Sequence, residues 1–359
     1  MRIVIDVTPL SLERTGIGNY IRGMVAGLAE AGPEHEIVAF APTGPNGARN
    51  VASAFDGLAL EKRITTLPGA YYMRRLWSRL GRPAVERFVG PLDVFHFSDW
   101  MYPAQRGGVR TTTMHDLVPL RHRELVHPRT YRLHATKLAN AVRTCDVIFA
   151  NSGFTADDVA ERTGFPRKRI RVAYPGIDPR FSQQGEAADL GAPYVLTVAT
   201  LERRKNLAIL LQAFQLIRQE RPELLLAVAG TAPPRGTPST PELEGEGVRL
   251  LGFVPDDELA RLYRGASVFA YPSIFEGFGM PIVEALTSGA PVVVSSHPSL
   301  DEACGRFALR ADPEDPRAFA EAMERALVGE APTGGTEHAG QFTWRACGEA
   351  VLGGYKSVL

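Results

Sequence analysis

Short apolar runs alternate with longer helical patterns along the chain, and this alternation is typical of parallel α/β sheets. Segments with helical periodicity include Asn19 to Ala31 and Arg129 to Thr144. Between such segments lie apolar runs of strand length. In the first half they are RIVIDV, EIVAF, VFHFS, TTTMHDL, VIFANS and IRVAYPGI. The pattern therefore predicts a Rossmann-like α/β domain in this half.

The same alternation starts again at YVLTVAT and continues through LLLAVAG, VRLLGFV, VFAYPS and PVVVSS. Helical patterns at Leu207 to Gln219 and Asp256 to Tyr263 separate these runs. The stretch from Pro175 to Pro193 is rich in glycine, proline and small polar residues, as a hinge linker is. We therefore predict two Rossmann-like domains, over residues 1–183 and 184–340.

Composition narrows the class of protein. The chain has 359 residues, of which 45% are hydrophobic, and its 40 basic and 40 acidic side chains cancel, so nothing indicates a nucleic-acid partner. Cys145, Cys304 and Cys347 form no zinc or disulfide pattern, which favours a reducing compartment. The chain opens on a strand-like run, and no apolar run approaches the ~18 residues of a membrane span. These features predict a cytoplasmic protein.

The stretch SIFEGFGMPIVEALTSGAPVVVSS places two carboxylates, Glu276 and Glu284, around a turn of glycines and a proline. Such a pair is compatible with a hydrolytic acid and nucleophile, with a metal site, with two carboxylates that bind hydroxyl groups of a ligand, and with a solvated surface. Pro281 suits the first turn of a helix, which puts Glu276 in the preceding loop. Glu284 then lies about one turn into the helix. The helix macrodipole alone could explain a carboxylate there, because it stabilises negative charge near the helix start by ~0.3 to 1 kcal/mol.

The loop between the two carboxylates has the features of a ligand site. Gly277 and Gly279 allow a close approach of the backbone to a ligand. Free amides at a helix start bind anions, so a phosphate is expected between the carboxylates. Ligands of open α/β sheets also bind beyond the carboxyl ends of the strands, where this loop lies.

The segment EGFGMPIVEALTSGAPVV resembles the E-x7-E signature of the retaining glycosyltransferases of family 4, which have the GT-B architecture. Other segments resemble that family in the expected order, and they are TGIGNYIRGMVAGL, MHDLVPL, VATLERRKNLAILLQAF, LGFVPDDELARLYRGASVFAYPS and FTWRACGEAVLGGYKSVL. The resemblance covers essentially the whole chain. It implies two Rossmann-like domains facing each other across a cleft, with a last helix, residues 341–359, packed back on the first domain.

A nucleotide-sugar donor presents a diphosphate, and Arg204 and Lys205 follow the strand YVLTVAT, where cations could hold it and neutralise the leaving group. A solvated helix start is the alternative for this basic run. However, positive charge at a helix N-terminus is unfavourable, so an anion is expected there. Arg204 is preferred to Arg203 because it directly precedes Lys205 and Asn206.

The resemblance also implies roles for the residues around the signature. It puts Glu276 at the hexose hydroxyls as a catalytic group and Glu284 at the ribose hydroxyls. Further donor contacts are expected from Val254, Gly277, Phe278, Gly279, Met280, Pro281 and Ile282. A retaining glycosidase would hold its carboxyls ~5 to 5.5 Å apart, and spacing across a loop does not exclude that distance. The phosphate-binding context and the lack of a signal peptide favour the transferase.

The motif RTGIGNY does not match the dinucleotide fingerprint, because Ile21 stands where the third glycine would be. The resemblance instead implies that Gly16 and Gly18 face the donor phosphate. His115 ends the strand TTTMHDL, and the resemblance implies a catalytic histidine there, near the transferred sugar; a purely structural histidine is the alternative.

No metal or cofactor is expected. His122, His127 and His134 match no metal spacing and are interpreted as surface residues, and no D-x-D motif occurs in the chain.

The resulting hypothesis is a retaining hexosyltransferase that acts on an acceptor hydroxyl of a glycan, a lipid-linked molecule or a small molecule. The expected donor is GDP-mannose, with a UDP-sugar such as UDP-glucose as the alternative. A sugar-nucleotide epimerase, a phosphorylase and a non-catalytic two-domain sugar-binding protein are also compatible with these residues. The arginine- and aromatic-rich stretch from Tyr71 to Phe88 could contact the cytoplasmic face of an anionic membrane, or it could simply cover the first sheet.

Overall fold

The computed structural model describes residues 1–12, 16–98, 103–232, 237–239, 243 and 245–359, without the side chain of Ser78. These residues form two compact units. The first contains Met1–Leu117, Tyr131–Gly176 and Phe342–Leu359, and the second contains Val118–Thr130 and Ile177–Gln341. The predicted division placed residues 118–130 in the first domain, whereas the structure groups Val118–Thr130 with the second unit.

Two parallel sheets are formed within these described ranges. The strands are β1 (Arg2–Asp6), β2 (Glu36–Thr43), β3 (Glu61–Thr66), β4 (Val94–Phe97), β5 (Val109–Met114), β6 (Val147–Ala150), β7 (Ile170–Val172), β8 (Tyr194–Val198), β9 (Leu225–Ala229), β10 (Val248–Gly252), β11 (Val268–Tyr271), β12 (Val292–Ser295) and β13 (Leu309–Ala311). The strand order is β3-β2-β1-β4-β5-β6-β7 in the first sheet and β10-β9-β8-β11-β12-β13 in the second. Both sheets therefore have the doubly wound order, which reverses between β1 and β4 and between β8 and β11.

Helices connect successive strands, as parallel pairing requires. They are α1 (Gly16–Ala31), α2 (Pro45–Ala54), α3 (Ala70–Leu80), α4 (Glu86–Val89), α5 (Val118–Arg121), α6 (Pro128–Thr144), α7 (Gly153–Thr163), α8 (Leu207–Arg218), α9 (Asp256–Gly265), α10 (Met280–Thr287), α11 (Asp301–Cys304), α12 (Pro316–Leu327), α13 (Gly335–Ala339) and α14 (Trp344–Lys356). Within the described residues, no helix combines the length and the apolar character needed to cross a lipid bilayer.

The C-terminal helix α14 packs on α1 within the first unit. Glycines allow the two backbones to approach closely. A β-carbon at Gly27 would overlap the backbone of Trp344, and one at Gly348 would overlap the backbone of Gly27. Tyr355 of the same helix forms a hydrogen bond with buried His96, whose Nδ1 lies 2.8 Å from the Tyr355 hydroxyl. The end of the chain is thus an integral part of the first core.

We expect Gly27→Ala to destabilise the protein by about 1–3 kcal/mol, because the added methyl group meets backbone that must shift. The matched control is Gly353→Ala in α14, where the space around an added β-carbon is open. Alanine is the better helix former, so this control should be neutral or stabilising by up to about 1 kcal/mol. Urea unfolding followed by circular dichroism measures both, and equal effects of the two substitutions would contradict the close packing.

Candidate active site

A charged cluster lies at the carboxyl edge of the second sheet, where the strand order reverses. The strand β8 is followed by a single 3-10 turn, Arg203–Lys205, and β11 by the loop that carries Glu276. Because β8 and β11 are hydrogen-bonded neighbours, these two loops meet. The Lys205 ammonium donates to Oε1 of Glu276 at 2.7 Å, and Nη1 of Arg204 donates to Oε2 at 2.9 Å.

Two residues that the sequence reasoning missed complete this cluster. The Tyr271 hydroxyl lies 3.0 Å from Oε1 of Glu276 and 2.9 Å from the Lys205 ammonium. The Glu202 carboxylate accepts from Nε of Arg204 at 2.7 Å. The position of Tyr271 as the last residue of β11 was a usable signal, since strand ends at this edge face ligands.

The Glu276 carboxylate is held in its ionised form. Glu276 and Lys205 are each only 8% exposed. Burial by itself raises the pKa of the Glu276 carboxyl, but the charges of Lys205 and Arg204 and the hydrogen bond from Lys205 outweigh it and lower the pKa to about 2. At neutral pH, Glu276 can therefore accept hydrogen bonds but has no proton to give. With these ion pairs in place, Glu276 is suited to accept hydrogen bonds from hydroxyl groups.

The turn after Glu276 has the predicted geometry. Gly279 has a φ of 100°, a left-handed conformation that favours glycine, and it caps α10, with Pro281 in the first turn. Glu284 lies in α10, where its Oε2 accepts from the Tyr263 hydroxyl at 2.9 Å. Tyr263 of α9 thus orients the Glu284 carboxylate.

The remaining predicted donor-binding residues of the second unit differ in which of their atoms a ligand could reach. The side chains of Phe278 and Ile282 are buried, so only their backbone atoms could meet a ligand. Met280 and Pro281 are half-buried, as is Val254, which lies between β10 and α9.

In the first unit, His115 directly follows β5 and packs edge-on against Tyr20 of α1, with 4.9 Å between ring centroids. Burial, followed by the nearby Lys137 cation, lowers the pKa of His115 to about 3. The imidazole is thus neutral at physiological pH and can act as a hydrogen-bonding group. Gly16 and Gly18 were expected in a loop, with the helix starting at Asn19, but they form the first turn of α1.

Two of the three histidines interpreted as surface residues are partly buried. His122 lies in the second unit with its ring 5.5 Å from that of Phe275. His134 lies on α6, and burial, followed by Lys137, lowers its pKa to about 3. Of the three, His127 is exposed. The surface assignment was wrong for His134, which is largely buried, and was only partly right for His122, which Phe275, a residue distant in sequence, partly covers.

Two doubly wound sheets, with cations and a carboxylate where the second strand order reverses, define an α/β protein of the GT-B class. Solved structures support this fold. The chain is similar to a sucrose-phosphate synthase from Thermosynechococcus elongatus, with a TM-score of 0.71, 18% identity and 99% of each chain covered. It is also similar to Anabaena HepE, solved in complex with UDP and glucose, with a TM-score of 0.70, 15% identity and 100% of each chain covered.

Sequence comparison gives the family. The model of Glycosyltransferase Family 4 matches residues 14–181, and that of Glycosyl transferases group 1 matches residues 192–328. The chain is 30% identical to the O-antigen chain mannosyltransferase B of Escherichia coli, over 99% of this chain and 100% of that protein. It is 29% identical to the serotype-specific mannosyltransferase WbdA of the same species, over 68% of this chain and 33% of that protein.

The chain belongs to the group 1 glycosyltransferases of family 4. It is a hexosyltransferase that takes its sugar from a nucleotide-sugar donor. The predicted family, the predicted GT-B fold and the predicted enzyme class are confirmed.

Proposed function

We propose that this enzyme transfers mannose from GDP-mannose to a hydroxyl of a glycan acceptor. The observation that carries the proposal is the pair of cations, Arg204 and Lys205, gathered on Glu276 where the second strand order reverses. A cation pair of which Lys205 is buried and Arg204 half-buried suits a diphosphate leaving group, whose charge grows during transfer. Mannose is favoured because similar proteins along much of this chain carry mannosyltransferase names.

The same ion pairs indicate how the donor would enter. A diphosphate carries more negative charge than one carboxylate, so it can replace Glu276 as the partner of Arg204 and Lys205. The carboxylate of Glu276 would then be available to accept hydrogen bonds from hydroxyls of the hexose. Neutral His115 would offer a further hydrogen bond to the transferred sugar. In this scheme the acceptor attacks from the side of the leaving group, a donor phosphate oxygen takes its proton, and no protein nucleophile is needed.

The remaining proposed donor contacts play supporting roles. Glu284, oriented by Tyr263, would hold the ribose hydroxyls, and Val254 would lie near the base. The backbone of the turn around Gly277, Gly279 and the start of α10 would meet the phosphates, and Gly16 and Gly18 would do so from α1. Because Arg204 and Lys205 supply the positive charge, we propose that no metal is required and expect turnover to persist in EDTA.

The test is to incubate the purified enzyme with GDP-mannose, UDP-glucose and further nucleotide sugars, and to measure nucleoside diphosphate release. GDP release from GDP-mannose well above release from the rest of the panel supports the proposal. Preference for a UDP-sugar would instead favour a donor like that of HepE, which was solved with UDP and glucose. Release from none of the donors, with candidate acceptor glycans present, would contradict mannose transfer from GDP-mannose.

We further propose that the enzyme contacts an anionic membrane through α3. This helix packs on β2 through Trp77, whose ring lies 6.3 Å from that of Phe40. On the outward side, Tyr72, Leu76 and Leu80 are 75%, 50% and 63% exposed. They recur at every fourth position and so form one row along the helix, with Arg75 and Arg79 beside it. An exposed apolar row flanked by arginines suits a bilayer that contains anionic lipid.

Vesicle flotation tests this contact. We expect the protein to float with phosphatidylglycerol-containing vesicles at low salt, and less with phosphatidylcholine alone. The double substitution Tyr72→Ser with Leu76→Ser should abolish flotation. A matched control, Leu250→Ser with Val328→Ser, removes exposed apolar side chains of the second unit and should leave it unchanged. Protein that stays in the soluble fraction with anionic vesicles would refute the membrane contact.

A further inference from the structure

A short hydrogen-bonded chain links the backbone of Glu276 to the loop after β12. The main-chain amide of Glu276 donates to Oγ of buried Ser299 at 3.1 Å. The same Oγ lies 2.8 Å from Nδ1 of His297. Nδ1 of His297 also accepts from the main-chain amide of Ser299 at 3.2 Å and so caps the 3-10 turn Pro298–Leu300.

These contacts fix where the protons lie. A ring nitrogen that accepts an amide proton carries no proton of its own, so Nδ1 of His297 is unprotonated. The Ser299 hydroxyl, 2.8 Å away, can then donate to Nδ1, which shares its one ring lone pair between this hydroxyl and the Ser299 amide. This leaves the lone pairs of Ser299 Oγ to accept from the amide of Glu276. The chain therefore runs in one direction, from Glu276 through Ser299 to His297, and it requires a neutral imidazole.

The surroundings of His297 favour the neutral imidazole. Its ring lies 5.4 Å from that of Phe275, the residue before Glu276, and Arg121 and His122 contact the same Phe275 ring at 5.8 and 5.5 Å. Burial, then His122 and Arg121, lower the pKa of His297, while Asp301 opposes them. All of these groups belong to the second unit.

We infer that His297 and Ser299 are positioning residues that hold the Glu276 backbone so that its carboxylate meets the donor sugar. The inference rests on the proposed role of Glu276. It assigns a function to a loop that lies outside the E-x7-E segment. A buried amide without its acceptor is costly, so the loop is expected to shift when either partner is lost.

The arrangement has a definite pH dependence. Protonation turns Nδ1 of His297 from an acceptor into a donor, which removes the acceptor of the Ser299 hydroxyl and of the Ser299 amide. Since the pKa of His297 is lowered in the folded protein, the contact is intact at neutral pH and is lost as the pH falls through that lowered pKa, which lies below the usual histidine value of ~6.5. Burial lowers the pKa of His115 to about 3, so its titration does not mask this change, whereas an acid fall caused by Glu276 would remain in His297→Asn.

Three substitutions test the inference by GDP release from GDP-mannose, measured from about pH 8 down to the lowest pH at which the wild type stays folded. Ser299→Ala and His297→Ala should each lower kcat on the order of 10-fold, with a smaller change in KM, because the carboxylate of Glu276 is misplaced during transfer. His297→Asn keeps an acceptor oxygen near the position of Nδ1 and cannot titrate. It should retain wild-type turnover at neutral pH and lose the fall in activity on the acid side.

His122→Gln is the matched control, because it removes the second histidine on Phe275, whose Nδ1 pairs with Glu124 at 3.3 Å. This variant should keep an acid fall, shifted toward higher pH because His122 is one cause of the lowered pKa of His297. Wild-type kcat in Ser299→Ala, or an acid fall that persists in His297→Asn, would overturn the inference.

A readout that does not depend on turnover separates the inference from the proposed function. In amide-resolved NMR of the whole protein, the Glu276 amide proton should move as the pH falls in the wild type, and it should stay fixed in His297→Asn. If Glu276→Gln keeps full activity, the proposed role of Glu276 is wrong whatever the NMR result. If the Glu276 amide does not respond to pH in the wild type, the positioning chain is wrong even if Glu276→Gln has the reduced kcat expected for the proposed role.

Discussion

Replacing Arg204 or Lys205 with alanine is expected to lower kcat/KM by about 10²-fold or more, which is ~3 kcal/mol of transition-state stabilisation. Both cations are directed at one point, since both bind the Glu276 carboxylate. Charge on a leaving diphosphate grows as the sugar departs, so the loss should fall on the transition state more than on the bound donor. Steady-state kinetics with the active donor measures the effect.

The neighbouring Arg203 provides a control for Arg204, because it lies in the same 3-10 turn but is exposed. Arg203→Ala should therefore keep nearly full activity. Removing Lys205 also removes a main cause of the low pKa of Glu276, so burial should raise that pKa in Lys205→Ala. Wild-type turnover in the double variant Arg204→Ala with Lys205→Ala would rule out the leaving-group role.

Glu276→Gln is expected to lower kcat by ~10 to 100-fold, equivalent to ~1.4 to 2.7 kcal/mol. Glutamine keeps most of the hydrogen-bonding capacity but removes the negative charge beside a sugar that becomes cationic. Glu284→Gln is the contrasting variant. If Glu284 grips only the ribose, its contacts barely change during transfer, so this substitution should raise KM and leave kcat comparatively intact.

A covalent nucleophile at Glu276 would behave differently. Replacing such a nucleophile would lower kcat by several more powers of ten, and the wild-type enzyme would accumulate a covalent glycosyl adduct. Intact-mass spectrometry of wild-type enzyme mixed with donor, without acceptor, distinguishes the two cases. A hexose found attached to Glu276 would show that this residue is a nucleophile and not an acceptor of hydrogen bonds from sugar hydroxyls.

Most of the fold was predictable because buried parallel strands are apolar along their whole length. The strand β3 was missed because its sequence, EKRITT, is polar, and it pairs at the edge of the first sheet with only β2 beside it. The strand β13 is short and was missed as well. The periodicity of α1 was clear from Asn19, but its glycine-rich first turn gave no helical signal.

The charged residues of the site were predictable, but their pairing was not. The spacing and the resemblance singled out Arg204, Lys205 and Glu276, yet nothing in the sequence showed that they bind one another across more than 70 residues of chain. Such contacts depend on which strands become neighbours. For the same reason Ser299, which follows β12, escaped notice although it binds the Glu276 amide.

The grouping of Val118–Thr130 with the second unit matters for protein engineering. A chimera that joins the first half of one family member to the second half of another, cut within the linker Pro175–Pro193, would draw this segment from the wrong parent. Arg121 and His122 would then come from one protein and Phe275, their ring partner beside Glu276, from the other. An exchange of donor specificity should therefore transplant residues 118–130 together with the second unit.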